Sequence, residues 1–399
     1  MKFLYLIKVE PNANNNKFYR MIQTNEDNFE AQYGRIGNTN FQTRTYSLYQ
    51  WDKKFKEKIR KGYVDKTELV AEPKVKEKVK YKEIEDLDIR LIVHRLQAMA
   101  RQAIKDNYTI SSNKVTQVMI DEAQNLIDIL LQENNINKFN KYLVDLFEVI
   151  PRKMSKVANY LAKDSKDLAG ILQREQDLLD VMKGQVIQKS ISNTGINKET
   201  INDKTILEVM GLEFTKVTDQ DIILIKKQLG SISDKFYQAW KVINLKTQKQ
   251  FDNFIEKNKI KNKKLLWHGS RNENFWSILN TGLVLRPNAA ITGKMFGYGI
   301  YFAPKARKSF GYTSYNGSYW AGGNSKSAFM GLFDIAYGNP YNVYDFNSKY
   351  YDLNYDKLQK QCPGANCLHA HSDKDMLRND EIVVYREDQL TIKYLVELR

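Results

Sequence analysis

Hydrophobic and polar positions change rhythm twice along this chain. From Met1 to about Lys66 apolar residues come in short aromatic runs such as Phe18-Tyr19-Arg20-Met21-Ile22 and Asn28-Phe29-Glu30-Ala31-Gln32-Tyr33. Polar turn residues part them, which predicts a small sheet. The start, Met1-Lys2-Phe3-Leu4-Tyr5-Leu6-Ile7, opens like a secretory leader, but Lys8 and Glu10 cut it short of the roughly 7–15 apolar residues a leader core needs. It reads as a first strand. Tyr46 to Ile59 reads as one amphipathic helix rich in lysine, and Glu72 to Lys82 alternates Lys, Glu and Val around Pro73 without a period, as a linker does.

From Leu87 to about Lys183 the period becomes helical. Ile92, Leu96, Met99 and Ala103 recur at helical spacing, as do Leu168, Ile171, Leu172, Leu179 and Met182. Start signals at Ser111-Ser112 and Pro151 divide the block into about four to six helices. After about Ser190 the texture is mixed, and it ends in β alternation: Ile382-Val383-Val384-Tyr385, then Ile392, Tyr394, Val396 and Leu398. Lys257 to Lys264 reads as a solvated loop before a strand. The pattern as a whole predicts a multidomain α+β chain: a small N-terminal β-sheet domain with one helix, an all-α helical bundle, and a C-terminal mixed α/β domain.

Composition narrows the partners. The 399 residues carry 62 Lys plus Arg against 47 Asp plus Glu, a formal charge of +15. That balance favours an anionic partner such as nucleic acid, although a lysine-rich surface alone would also produce it. Cys362 and Cys367 are the only cysteines. Two are too few for a disulfide scaffold and fit a reducing, intracellular setting. No stretch approaches the roughly 20 apolar residues of a membrane span, so no membrane partner is expected.

Candidate chemistry gathers in the last third. Leu265-Leu266-Trp267-His268-Gly269-Ser270-Arg271 is an apolar run ending in a histidine, a glycine and a hydroxyl, as a buried strand ends when it delivers polar groups to a cleft. Glycine admits a ligand close to the backbone, and His268 and Ser270 can bond sugar hydroxyls or phosphate. Further on, Met295-Phe296-Gly297-Tyr298-Gly299-Ile300-Tyr301-Phe302-Ala303 and Lys308-Ser309-Phe310-Gly311-Tyr312 interleave glycine with aromatic rings. Such a texture suits a pocket for a flat ring, and equally a tyrosine-rich core. No G-x-G-x-x-G follows a strand, so the fingerprint of a hydride-transferring dinucleotide domain is missing. Cys362, Cys367, His369 and His371 are soft or borderline donors that could hold zinc, but their spacing is tighter than usual structural patterns, and no metal is expected.

The order of LLWHGSR, GYGIYFA, KSFGY and NDEIVVY resembles the catalytic domain of the poly(ADP-ribose) polymerase family, from about Phe214 to the C-terminus. The resemblance implies an ADP-ribosyltransferase fold and NAD⁺ consumed as substrate, with a triad on His268, Tyr301 and Glu381. It implies that the Gly269 backbone and Ser309 hold the nicotinamide amide, that Tyr301 and Tyr312 enclose the ring, and that His268, Ser270 and Asn274 meet the adenosine half. Counting back without a gap from Lys393-Tyr394-Leu395 sets the family glutamate on Glu381, not on Asp380. The family arginine after Thr281-Gly282-Leu283 is Val284 here, and the nearest arginine is Arg286.

Upstream, the sheet with Tyr33-Gly34-Arg35 resembles the WGR domain of the DNA-dependent members, tyrosine standing for tryptophan. The helical block resembles their regulatory domain at Leu146-Phe147-Glu148-Val149-Ile150-Pro151 and Gln176-Asp177-Leu178-Leu179-Asp180. The implied domains are a WGR-like DNA-binding domain at 1–75, a linker at 76–86, a helical regulatory domain at 87–190 and the catalytic domain at 191–399. The implied partners are DNA strand breaks, met by Tyr33, Arg35, Lys53 and Lys54, and protein acceptors of ADP-ribose including the chain itself, which would act as a monomer. The location would be the nucleus in a eukaryote and otherwise the cytoplasm. Retention of Glu381 favours polymer over single-unit transfer, and a catalytically dead DNA-end binder is the remaining alternative.

Overall fold

The structure, a computed structural model, describes residues 2–11, 14–37, 40–70, 81–194, 202–285, 295–319, 321–372 and 377–399. Arg286 and most of the linker lie outside the described residues. The described residues pack into two compact units, whose division falls inside two helices, after Ala100 and after Val186.

In the first unit, aromatic alternation builds β1 (Phe3–Glu10), β2 (Asn15–Gln23), β3 (Asn28–Arg35), β4 (Gln42–Ser47) and β5 (Val64–Asp65). They form an antiparallel sheet in the order β4-β3-β2-β1-β5. The helix α1 (Trp51–Arg60) closes one face, with Trp51 edge-on to Phe29 at 5.0 Å over a core of Leu6, Tyr19, Met21 and Ala31. The single helix expected from Tyr46 is thus shorter at its start. Tyr46 belongs to β4 opposite Phe29, where an aromatic and its threonine neighbours fit a pleated surface better than a helix. A short α2 (Thr67–Val70) follows.

The helical part consists of α3 (Leu87–Asn107), α4 (Gln117–Gln132), α5 (Ile136–Val149) and α6 (Asp167–Thr194). Thr116 caps α4 by accepting from the Met119 amide, and Asn135 caps α5 by accepting from Lys138. Neither expected start signal opens an α-helix directly: Ser112–Lys114 makes a 3-10 turn, and Pro151 lies just beyond α5, where its missing N–H ends the ladder. The β1 edge meets α5 through the Val9 amide and Glu148 at 3.3 Å.

The second unit takes in β6 (Tyr81–Lys82), paired parallel with β7 (Asn202–Thr205), and α3 as far as Ala100. It continues through α7 (Ile206–Met210), β8 (Leu212–Lys216), α8 (Asp219–Leu229), β9 (Phe236–Asn244), α9 (Leu245–Asn258) and β10 (Lys264–Gly269). Then come α10 (Phe275–Thr281), β11 (Ile300–Phe302), α11 (Ala306–Phe310), β12 (Ala328–Ile335), β13 (Pro340–Val343), α12 (Tyr355–Gln361), β14 (Cys367–Ala370), β15 (Glu381–Val384) and β16 (Leu390–Leu398). Beside the β6-β7 pair, the described residues form the larger sheets β10-β12-β16-β9-β8 and β11-β15-β14-β13. They join where Trp267 and Ala303 exchange backbone hydrogen bonds of 3.0 Å each way.

That junction sets the site. Trp267 is fully buried among Met330, Leu332, Tyr394, Val396 and the α8 residues Ile225 and Leu229, so β10 cannot slide against its neighbours. The first half of α3 is tied to β16: Arg95 Nη1 lies 2.8 Å from the buried Glu397 carboxylate, and its Nη2 donates to Ser327 at 2.7 Å. No helix among the described residues is long and apolar enough to cross a membrane.

Candidate active site

The strand β10 turns polar as it leaves the core. After the apolar run Leu265-Leu266-Trp267 comes His268, and its Nδ1–H donates to the Tyr301 carbonyl at 3.1 Å, since a carbonyl can only accept. Phe302 and Phe333 stand edge-on to the ring at 5.8 and 6.2 Å. Burial pushes the imidazole below its ordinary value, against the pull of the Tyr301 carbonyl, so the ring is neutral and Nε2 offers a lone pair. A neutral, oriented acceptor suits a sugar hydroxyl.

Gly269 lies against α11. A Cβ there would fall 1.9 Å from the Ser309 carbonyl oxygen, so only glycine lets the two backbones meet. Ser309 is buried, and its Oγ donates to the Trp267 carbonyl at 3.0 Å. Gly269 and Ser309 thus form one wall.

Tyr301 sits in β11 with its hydroxyl doubly used: it accepts from the Phe296 amide and donates to the Gly297 carbonyl, both at 3.0 Å. The ring is therefore held as a fixed wall. Tyr312, just after α11, is about a third exposed, and its phenol is pushed up to about 12 by burial, with the Glu381 carboxylate adding to the effect. On the far side, Asn274 donates through Nδ2 to Ser270 Oγ at 3.0 Å, while its buried Oδ1 has no partner among the described residues. A free acceptor next to a hydroxyl is a place for a donor on a ligand.

Glu381 opens β15, where Val383 lies opposite Tyr301, so Glu381 and Tyr301 share a face of the sheet. It is 7% exposed. One oxygen, Oε1, pairs with Lys308 Nζ, which also donates to the Asn379 carbonyl at 3.2 Å. The other, Oε2, is buried with no partner among the described residues. Burial pushes this carboxyl up, and the Lys308 ammonium draws it part of the way back. Asp380 turns to the opposite face, where Ser372 Oγ donates to it at 2.7 Å.

Lys308 was not singled out by the sequence, although it stands directly before Ser309. A charge pair joining α11 to β15 leaves no spacing signal. The four zinc candidates do not assemble: Cys362 packs beside Leu358 and Ala365, while Cys367 Sγ donates to the Tyr337 carbonyl at 3.3 Å and burial pushes its thiol up to about 12.

In the first unit the expected DNA contacts are unequally free. Arg35 donates to the Met154 carbonyl at 3.4 Å and to the carbonyl and side chain of Asn14 at 3.1 and 3.2 Å. Tyr33 stacks on Tyr19 at 5.8 Å, at the edge of the core. Lys54 pairs with Glu57 and lies over Tyr46, whereas Lys53 is exposed.

Comparison with known proteins matches these two regions. The poly(ADP-ribose) polymerase catalytic domain matches residues 220–399 and the WGR domain matches residues 2–70. Protein 101L of Invertebrate iridescent virus 6 is 29% identical over 196 residues, 48% of this chain and 81% of that protein. The putative poly [ADP-ribose] polymerase-like protein 100L of the same virus is 30% identical over 183 residues, 45% of this chain and 93% of that protein. Poly [ADP-ribose] polymerase 1 of Caenorhabditis elegans is 28% identical over 201 residues, which cover 44% of this chain and 20% of the nematode protein.

Proposed function

Because the chain belongs to the poly(ADP-ribose) polymerase family, we propose that its cleft splits NAD⁺, releases nicotinamide, and passes ADP-ribose to protein acceptors including itself, extending the first unit and responding to DNA strand breaks. The observation that carries the chemistry is Glu381: a buried carboxylate with Oε1 fixed by Lys308 and Oε2 left without a protein donor.

Breaking the nicotinamide–ribose bond builds positive charge on the ribose, as in glycoside cleavage. A carboxylate that accepts from the ribose 2′-hydroxyl favours that charge, and the same oxygen can take a proton from an incoming acceptor hydroxyl. Lys308 favours the ionised form of the buried Glu381, against the effect of burial, for both tasks. His268, neutral and aimed by the Tyr301 carbonyl, holds the adenosine ribose, with Ser270 and Asn274 beside it. Gly269 and Ser309 receive the amide, and Tyr301 and Tyr312 flank the ring. Holding the two ends of NAD⁺ between rigid strands positions the scissile bond without help from a moving group.

The WGR match and the charge of +15 support a nucleic-acid trigger, with the α3–α6 helices as the regulatory part. The test is incubation of the full chain with labelled NAD⁺, with and without nicked duplex DNA. Polymer formation that rises with nicked DNA is expected. Glu381→Gln should lower transfer by about 10²- to 10⁴-fold while NAD⁺ still binds. Near-normal transfer by that variant would overturn the role of Glu381, single-unit products would overturn elongation, and indifference to DNA would overturn the trigger alone.

A further inference from the structure

Behind the proposed catalytic face, β14 and β15 bring together three side chains that the chemistry above does not use. His369 lies in β14, and His371 follows two residues on, so both imidazoles leave the strand on one side. Ala370 pairs with Glu381, which sets Asp380 next to His371 across the ladder. One ligating atom from each of His369, His371 and Asp380 lies within 4.8 Å of the others. His369 Nε2 is 3.2 Å and His371 Nδ1 3.9 Å from the same Asp380 oxygen, Oδ2.

The outward atoms of all three are already engaged. His369 Nδ1 meets the Tyr337 hydroxyl at 2.7 Å, and His371 Nε2–H donates to Asn342 Oδ1 at 2.9 Å. Asp380 Oδ1 accepts from the Ser372 amide at 3.0 Å and its hydroxyl at 2.7 Å. This is how an outer shell orients metal ligands: each imidazole bonded through the nitrogen that does not bind the ion, the carboxylate through its spare oxygen. With its proton on Nε2, His371 turns the lone pair of Nδ1 towards a carboxylate oxygen. A metal cation between these two groups would satisfy both.

We propose that His369 Nε2, His371 Nδ1 and the Asp380 carboxylate bind one zinc ion, with a fourth position left to water. Two imidazoles and a carboxylate are the borderline donor set that zinc prefers, whereas calcium and magnesium take oxygen ligands. Cys367 stays outside the set, since its Sγ is bonded to the Tyr337 carbonyl. The ion would clamp β14 to the residue directly before Glu381, fixing where the catalytic strand begins.

The test is independent of NAD⁺ turnover. The full chain, stripped with a chelator, is titrated with Zn²⁺ alone by calorimetry, and with Co²⁺ while the visible spectrum is recorded. One ion per chain and a tetrahedral Co²⁺ spectrum are expected. His371→Ala should abolish that spectrum, and Asn342→Ala, which removes only an outer bond, should weaken binding about 10- to 100-fold. Asp380→Asn serves as a second ligand variant should His371→Ala fail to fold. Absence of zinc binding by the wild-type chain at micromolar concentration, or unchanged stoichiometry and affinity in both ligand variants, would overturn the site.

Discussion

At Gly269 a methyl group would fall 1.9 Å from the Ser309 carbonyl oxygen, a backbone atom that moves only if α11 moves with it. Gly269→Ala should therefore push apart the two backbone segments of the wall proposed to hold the nicotinamide amide. A displacement of this kind costs on the order of 10²-fold in rate. The expected result is a raised KM for NAD⁺ and slower nicotinamide release, and a variant with both within twofold of wild type would show that this close approach does not shape the NAD⁺ site. Lys308 offers a second test, in pH. In the proposed mechanism Glu381 works as the carboxylate, so kcat/KM should rise with pH through its pKa. Burial raises that pKa and Lys308 lowers it, so Lys308→Met should move the acidic limb of the profile to higher pH. An acidic limb that stayed in place or moved down would mean that another group titrates.

Elements made of strong periodic patterns were legible from the sequence alone, and the exceptions have physical causes. The aromatic runs became β1 to β3, and the terminal apolar runs became β15 and β16, which are buried at nearly every position. Tyr46 left the expected helix because β3 offered it Phe29 as a partner. Pro151 closed a helix where it was expected to open one. Of the proposed site, His268, Gly269, Tyr301, Ser309 and Glu381 all stand in motifs with their own spelling, and Gly269 ends β10 while Glu381 starts β15. Lys308 was not, and neither was the grouping of Asp380 with the two histidines, because pairing between strands has no sequence period. The first half of α3 carries a prediction at this scale. Arg95 provides a charged hydrogen bond to Glu397, of a kind worth about 1.5–3 kcal/mol, and Arg399 at 3.0 Å partly replaces it. Arg95→Met should thus lower stability by the smaller end of that range, read as a lower Tm. Under the proposed regulation it should also raise NAD⁺ turnover in the absence of DNA, as the helix is held less firmly. A lower Tm with unchanged basal turnover would detach α3 from regulation.

On the scale of the whole molecule, a DNA trigger is a coupling between two binding events, and coupling has a consequence that a purely kinetic effect lacks. Where broken DNA tightens NAD⁺ binding by some factor, NAD⁺ must tighten DNA binding by the same factor, typically about 5- to 150-fold for 1–3 kcal/mol. The measurement is DNA affinity at fixed salt with and without a non-cleavable NAD⁺ analogue, because affinity for a chain of charge +15 changes steeply with ionic strength. Equal factors in the two directions are expected. Lys53→Ala provides the control. As an exposed cation it should weaken DNA binding and flatten the salt dependence by about one counterion, leaving the factor itself unchanged. Arg35→Ala should do more, because its guanidinium also holds Met154 and Asn14 and its loss disturbs the unit that would bind the break. If the analogue leaves DNA affinity unchanged while DNA still raises turnover, then breaks act on the rate of the chemical step, and the helices do not gate access to NAD⁺.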